Sequence, residues 1–142
     1  MKTRSVFSML AGAVLLAALP VQAHHSFAAE FDVNQPVSLR GTLTRMEWFN
    51  PHGWIYIDVK GPDGKVTNWG IEAGAPTTLL RRGLRKTDFP IGSEVVVEGY
   101  RAKGGAPRAS GKSLTFTDGR NFFLGASENP GDPSSPPSGG QR

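Results

Sequence analysis

The chain has 142 residues, of which 16 are Lys or Arg and 12 are Asp or Glu, and it contains no cysteine. This length accommodates one domain rather than two. Without cysteine there is no disulfide, thiolate metal ligand or cysteine nucleophile. A domain of this size must therefore be stabilised by its hydrophobic core alone.

The first 23 residues have the pattern of a secretory signal peptide. Lys2 and Arg4 give a positive start, residues 6–19 are almost all apolar, and residues 21–23 fit the small-x-small cleavage rule. A retained membrane anchor is the alternative, but the apolar stretch is short for a membrane span. Cleavage after Ala23 lowers the formal charge from +4 to +2. We therefore predict a periplasmic or secreted protein, too weakly basic for a typical nucleic-acid binder, with no transmembrane segment after cleavage.

The predicted mature chain divides into three segments. Residues 24–36 lack clear periodicity and are predicted to form an N-terminal arm, either a short helix or a segment held by Phe27 and Phe31. Residues 37–124 carry the alternating pattern of a single β domain. Residues 125–142 are rich in Gly, Pro and Ser and are predicted to be disordered.

Residues 37–60 predict two strands joined by a tight turn at residues 50–53. In the first strand the apolar alternation that ends at Leu43 changes phase before Met46 and Trp48. Such a slip predicts a β-bulge near residues 44–45. A long, bent first strand can serve both sides of a small closed sheet.

The rest of the domain reads as strand, short helix and further strands. The predicted elements are a strand at 66–72, a helix at 75–82 with Leu79, Leu80 and Leu84 against the core, a strand at 94–102, a flexible basic loop at 103–112, and a hairpin of 113–117 with 121–124. Three strands, a helix and two strands is the order of the OB-fold. We therefore predict an all-β fold with one short helix, a five-to-six-stranded OB-like antiparallel barrel. Another small antiparallel barrel or sandwich is the alternative.

Four segments resemble a family of short exported bacterial proteins of unknown function. They are the His-His-Ser-Phe start at residues 24–27 and the blocks FNPHGWIYIDV, VTNWGIE and VVVEGYRAK. The resemblance extends over almost all of residues 23–124. It implies export and the barrel fold, and it implies no activity.

Three histidines form the first candidate site. Cleavage after Ala23 would make His24 the first residue, so that its α-amine and imidazole could chelate one ion. His25 and His52 could add nitrogen ligands, and such a set suits Cu(II) more than tetrahedral Zn(II). The alternative is a solvated His-His arm, with His52 bonded to backbone in its turn.

A surface beside the predicted first turn forms the second candidate site. The period of two places Trp54 and Tyr56 opposite the inward Ile55 and Ile57. Exposed aromatic rings beside cations can stack on a ligand ring. The predicted ligand-binding residues are Asn50, Trp54, Tyr56, Lys103, Arg108 and Lys112. Alternatively, the N-terminal arm covers these rings with Phe27 and Phe31.

No catalytic motif is present in the sequence. The acids form no pair at a spacing that a reaction would require, and no G-x-S-x-G, HExxH or phosphate-binding glycine loop occurs. The sequence therefore assigns no catalytic residue and favours an exported binding or accessory protein. Its binding partner would be Cu(II), a small anionic or aromatic ligand, or another protein of the envelope. The alternatives are an envelope structural or protein-interaction module without metal and, third, a copper-dependent redox enzyme.

Overall fold

The structure, a computed structural model, describes residues 27–125. The predicted signal peptide, His24 and His25 and nearly all of the predicted disordered tail lie outside that range. The strands are β1 (Phe31–Glu47), β2 (Trp54–Lys60), β3 (Val66–Glu72), β4 (Glu94–Ala102), β5 (Arg108–Phe116) and β6 (Asn121–Phe123). The helices are α1 (Phe27–Glu30) and α2 (Pro76–Arg81), followed by a 3-10 turn at Lys86–Asp88.

Five of the strands form a closed ring. The first half of β1 pairs with β4 and its second half pairs with β2, and β2–β3 and β4–β5 are also antiparallel. A parallel pairing of Gly70–Glu72 with Arg108–Ser110 closes the ring, and β6 extends from β5. This arrangement confirms the predicted all-β fold with an OB-like order of elements. One of the pairings is parallel, which the predicted antiparallel arrangement did not include.

The predicted bulge in β1 is confirmed. The register between β1 and β2 shifts between Leu43 and Arg45, so that Leu43 and Met46 are both buried although they differ in parity. The bulge lets one long strand direct apolar side chains inward along both of its pairings. The ring therefore surrounds a single core, whose fully buried side chains include Leu43, Ile55, Ile57, Ile71, Leu79, Val95, Val97, Leu114 and Leu124.

Backbones approach closely at two glycines of this ring. A Cβ atom at Gly41 would collide with the carbonyl oxygen of Asp58, and one at Gly99 would collide with that of Ser110. Gly99 lies at the register shift between β4 and β5. Both positions thus require glycine because the obstructing atoms belong to the backbone of a paired strand and cannot rotate away.

Three details of the sequence prediction are corrected. β1 begins at Phe31 rather than at residue 37, because Phe31 is buried and pairs with Ala102 beyond an irregular stretch. Residues 108–112 are not a flexible loop but belong to β5, since their backbone is paired with β3 and β4. Leu80 is 50% exposed, whereas Leu79 and Leu84 are buried as predicted.

None of the helices within residues 27–125 has the length and apolar character needed to cross a membrane.

We predict that Gly99→Ala lowers the free energy of unfolding by about 2 kcal/mol or more, since overpacking a closed core or ladder costs about 1–3 kcal/mol. For a domain of this size that loss lowers the melting temperature by about 8 °C or more. Thermal and urea unfolding of the mature protein measure both quantities. Gly104→Ala is the matched control, because a Cβ there meets nothing within 4 Å. Equal stability of the two variants would contradict the close approach at Gly99.

Candidate binding site on the outer face of the ring

Trp54 and Tyr56 lie on the outside of the ring, as their parity predicted. Ile55 and Ile57 are buried, whereas both aromatic side chains are partly exposed. Their rings extend over β3, where a Cβ at Gly70 would lie 3.5 Å from Tyr56 Cε1 and 3.7 Å from Trp54 Cε3. Because Gly70 has no side chain, both rings lie against the backbone of β3 at this position.

Each ring carries an arginine on its face. The guanidinium carbon of Arg108 lies 4.7 Å from the ring centroid of Trp54, and that of Arg45 lies 3.8 Å from the ring centroid of Tyr56. Cation–π contacts of this kind are favourable because the ring face is electronegative. We call Trp54, Tyr56, Arg45 and Arg108 the aromatic face. A flat ligand could stack on these rings only after a guanidinium moved aside.

The two arginines of the aromatic face have acidic neighbours. Arg45 forms an ion pair with Glu47, and Arg108 Nη2 lies 3.8 Å from Glu30 Oε2. Glu47 also accepts a hydrogen bond of 3.2 Å from the Tyr56 hydroxyl. The face is therefore a layer of matched charges over two rings rather than a cationic patch.

The pKa of Tyr56 is raised above its ordinary value near 10.0. Partial burial of the hydroxyl is the largest cause, and the charge of Glu47 and its hydrogen bond add to it. Arg45 and Arg108 act in the opposite direction without reversing the shift. Burial and a neighbouring carboxylate both penalise the phenolate.

The N-terminal arm packs on another part of the outer surface. The Phe27 ring lies 5.6 Å from Phe31 and 5.7 Å from Tyr100 between ring centroids, rather than over Trp54 or Tyr56. Lys103 fixes this arm, because its backbone N–H donates to Glu30 O at 2.9 Å and its Nζ to Ala28 O at 2.6 Å. Of the described residues, it is the two arginines and not the arm that cover the rings.

The predicted ligand-binding residues are thus only partly brought together. Trp54, Tyr56 and Arg108 meet on the aromatic face. Lys103 is engaged with α1, Lys112 is an exposed residue at the irregular step of β5, and Asn50 is exposed in the turn before β2. The basic residues therefore do not form the common surface that a flexible loop at 103–112 would have allowed.

His52 faces a carboxylate. Its Nδ1 atom lies 3.0 Å from Glu72 Oε1, and the side chains of His52 and Glu72 are 35% and 13% exposed. The backbone beside them continues the β2–β3 ladder, because Gly53 N–H donates to Gly74 O and Ala73 N–H to Gly53 O. His52 is therefore held at the end of two paired strands rather than on a free loop.

A row of residues paired across neighbouring strands connects the His52–Glu72 pair to the arm. Tyr100 pairs with Ser110, Ser110 with Glu72, and Glu72 with Trp54. Phe27 stacks edge-on against the first member of the row. Within residues 27–125 no three His, Asp or Glu side chains form a group that could hold a metal ion. His24 and His25, the other predicted ligands, lie outside the described residues.

Sequence reasoning missed Glu72 and Arg45 as members of this surface. Both have outward parity on their strands, and Arg45 adjoins the predicted bulge. The missing information was strand register, because Glu72 lies beside Trp54 only through pairing.

A family model matches residues 13–111, and its description is a family of unknown function, DUF6152. That range is more than half of the chain. The chain belongs to DUF6152. The matched range includes the arm, the turn before β2 and the first residues of β5. The aromatic face and the His52–Glu72 pair therefore both lie inside the family region. No curated protein and no solved structure matches the chain significantly.

We predict that Glu47→Gln lowers the pKa of Tyr56, because it removes a charge that opposes the phenolate. Ultraviolet absorbance of tyrosinate during an alkaline titration measures this, with Tyr56→Phe identifying the signal. Since the folded-state pKa is raised, the stability that Tyr56 contributes is complete below about pH 10 and is lost as pH rises through the raised value. Asp58→Asn, on the same strand, is the control. An unchanged titration in Glu47→Gln would contradict the contact.

Proposed function

We propose that the protein is exported and that its mature form is a small accessory protein that binds Cu(II). His24 would supply its α-amine and imidazole, and His25 and His52 would supply further imidazole nitrogens. The observation that carries the proposal is the position of His52, which lies 3.0 Å from Glu72 beside a backbone held at the end of the β2–β3 ladder. A fixed imidazole is a better ligand than one on a free loop, because less side-chain entropy is lost on binding.

The start of the described chain supports this proposal by its distance from His52. Phe27 rests on Tyr100, and Tyr100 is two strand pairings away from Glu72. Adjacent strands lie about 4.8 Å apart, so the two steps amount to about 10 Å. Three extended residues, 24–26, can span about 10 Å. The path also includes the 5.7 Å between the Phe27 and Tyr100 ring centroids and the 3.0 Å between Glu72 and His52. Residues 24–26 would therefore have to run fully extended towards His52 for His24 to share its ion.

The kind of donor favours copper over other divalent ions. An amine and imidazoles form a nitrogen set, and nitrogen ligands in a planar arrangement suit Cu(II). The chain has no cysteine, so the thiolate ligands of structural zinc sites do not exist. Bound copper would supply Lewis acidity or one-electron chemistry, and no residue of the aromatic face is assigned a catalytic step.

We predict sub-micromolar Cu(II) affinity for protein that begins at His24. Retaining Ala23 converts the α-amine of His24 into an amide, and His52→Ala removes a nitrogen, so each change should weaken binding by at least about 10-fold. Competition with a chromophoric chelator measures the affinities. Native mass spectrometry of the exported protein establishes the first residue and the bound ion.

Trp54→Phe is the matched control, because Trp54 pairs with Glu72 on the outer surface and its side chain is not a metal ligand. A mature chain that begins elsewhere than at position 24, or micromolar binding that is indifferent to His52→Ala, would contradict the proposal.

The aromatic face favours a second function, an envelope protein-interaction module without metal. Each of the two aromatic rings has an arginine on its face, and each arginine has an acid beside it. Such a surface suits a polypeptide that carries charges of both signs. Tyr and Arg are enriched where proteins bind each other. A highly anionic ligand would have to compete with Glu30 and Glu47 for these arginines.

A photo-crosslinking residue in place of Asn68, which lies on β3 opposite Asp58, tests the second function in cells. A discrete protein adduct that disappears in Trp54→Ser/Tyr56→Ser and persists in His52→Ala would support it. Absence of any adduct in a correctly exported protein would contradict it.

A further inference from the structure

We infer that Glu72 is a positioning residue for His52, and that it holds Nδ1 so that Nε2 is the nitrogen presented to an incoming metal ion. The inference rests on the proposed Cu(II) function and adds to it a residue and a donor atom. It is carried by side chains within the described range alone.

The contact between the two residues is close and sheltered. His52 Nδ1 lies 3.0 Å from Glu72 Oε1, and Nδ1 itself is buried. The side chain as a whole is 35% exposed, so its exposed surface is shared among Cβ, the ring carbons and Nε2 and excludes Nδ1. Of the two ring nitrogens, Nε2 is therefore the one that solvent can reach.

The His52 ring and the Glu72 carboxylate are close but not hydrogen-bonded. In this conformation Nδ1 makes no hydrogen bond to any residue in the described range, although the distance is that of one. The terminal torsion of a histidine side chain is soft. The proposed Nδ1–H···Oε1 bond therefore requires a change in side-chain torsions only, at a distance of 3.0 Å that already suits a hydrogen bond.

Glu72 is well placed to hold such a bond. It lies in β3 between Trp54 on β2 and Ser110 on β5, and its side chain is 13% exposed. The ladder around Gly53, Ala73 and Gly74 fixes the backbone of both partners. A paired strand on either side holds the backbone of Glu72 in place, unlike the backbone of an acid on a loop.

The chemistry of metal-bound histidines explains what this arrangement achieves. A carboxylate that accepts from one ring nitrogen fixes the tautomer and ring orientation and makes the other nitrogen more basic. Losing such a partner typically weakens metal binding by about 10- to 100-fold. The competing explanation is an ion pair that exists only while His52 is protonated. In that case the neutral ring turns away from Glu72 and shows no tautomer preference.

The test begins with metal-free, ¹⁵N-labelled mature protein at about pH 8, where an ordinary histidine is neutral. Long-range ¹H–¹⁵N correlation spectra report which ring nitrogen carries the proton, and His52→Gln assigns the signals. We expect the Nδ1–H tautomer for His52. We expect Glu72→Met to lose this preference, and Glu72→Gln to retain part of it because an amide oxygen still accepts.

The same variants are then titrated with Cu(II). Glu72→Met should weaken binding by about 10-fold, and Glu72→Gln by less. Glu47→Met is the matched control, because Glu47 is an acid on the same outer row that contacts Arg45 and Tyr56 instead of His52. Circular dichroism verifies that each variant is folded. The tautomer of His52 in wild-type protein is measured without any variant, so it does not depend on variant folding.

The outcomes separate this inference from the function on which it rests. An Nε2–H tautomer in wild-type protein, or copper coordinated through Nδ1, would overturn the role of Glu72 while leaving copper binding intact. An Nδ1–H tautomer that depends on Glu72, in a protein without copper affinity, would refute the proposed function and retain the positioning contact.

Discussion

The parallel pairing of Gly70–Glu72 with Arg108–Ser110 is the constraint on which the outer surface depends. It closes five strands into a ring and unites residues that are far apart in the chain. Through it Arg108 reaches the Trp54 ring, and Glu72 becomes continuous with Ser110 and Tyr100. Without this pairing, β3 and the first residues of β5 would have unpaired edges, and Arg108 would not be brought to Trp54 nor Ser110 to Glu72.

The ring also explains how a small protein without disulfides presents rigid side chains outside its core. Closure leaves few unpaired strand edges. The turn that carries His52 is tied to Gly74 and Ala73 by backbone hydrogen bonds. A carboxylate on the next strand, that of Glu72, lies 3.0 Å from the imidazole nitrogen Nδ1.

Charge on the aromatic face is balanced locally rather than accumulated. Arg45 and Arg108 are each associated with a ring and an acid, so the surface carries directional contacts without a large field. Local balance of this kind agrees with the mild net charge expected of the mature chain. A surface balanced in this way lacks the large positive field that attracts polyanions in general.

The alternation of apolar residues and its phase slip determined much of the fold. The bulge in β1, the inward Ile55 and Ile57, and the outward Trp54 and Tyr56 all follow from the period of two, which is a local property of the chain. The extension of β1 back to Phe31 did not follow, because residues 32–36 include Asp, Asn and Pro, which disfavour strands. These residues lie in a strand because Phe31 is buried and paired with β4.

The sequence alone supplies the composition, the cleavage pattern and the three histidines. From these properties we predicted export, a single β domain and a nitrogen-rich metal site. Only the tertiary structure decided that Arg108–Lys112 is strand, that two arginines lie on the outward rings, and that Glu72 faces His52. The physical reason is that parity along one strand is encoded locally, whereas the register between β2, β3 and β5 depends on how the whole ring closes.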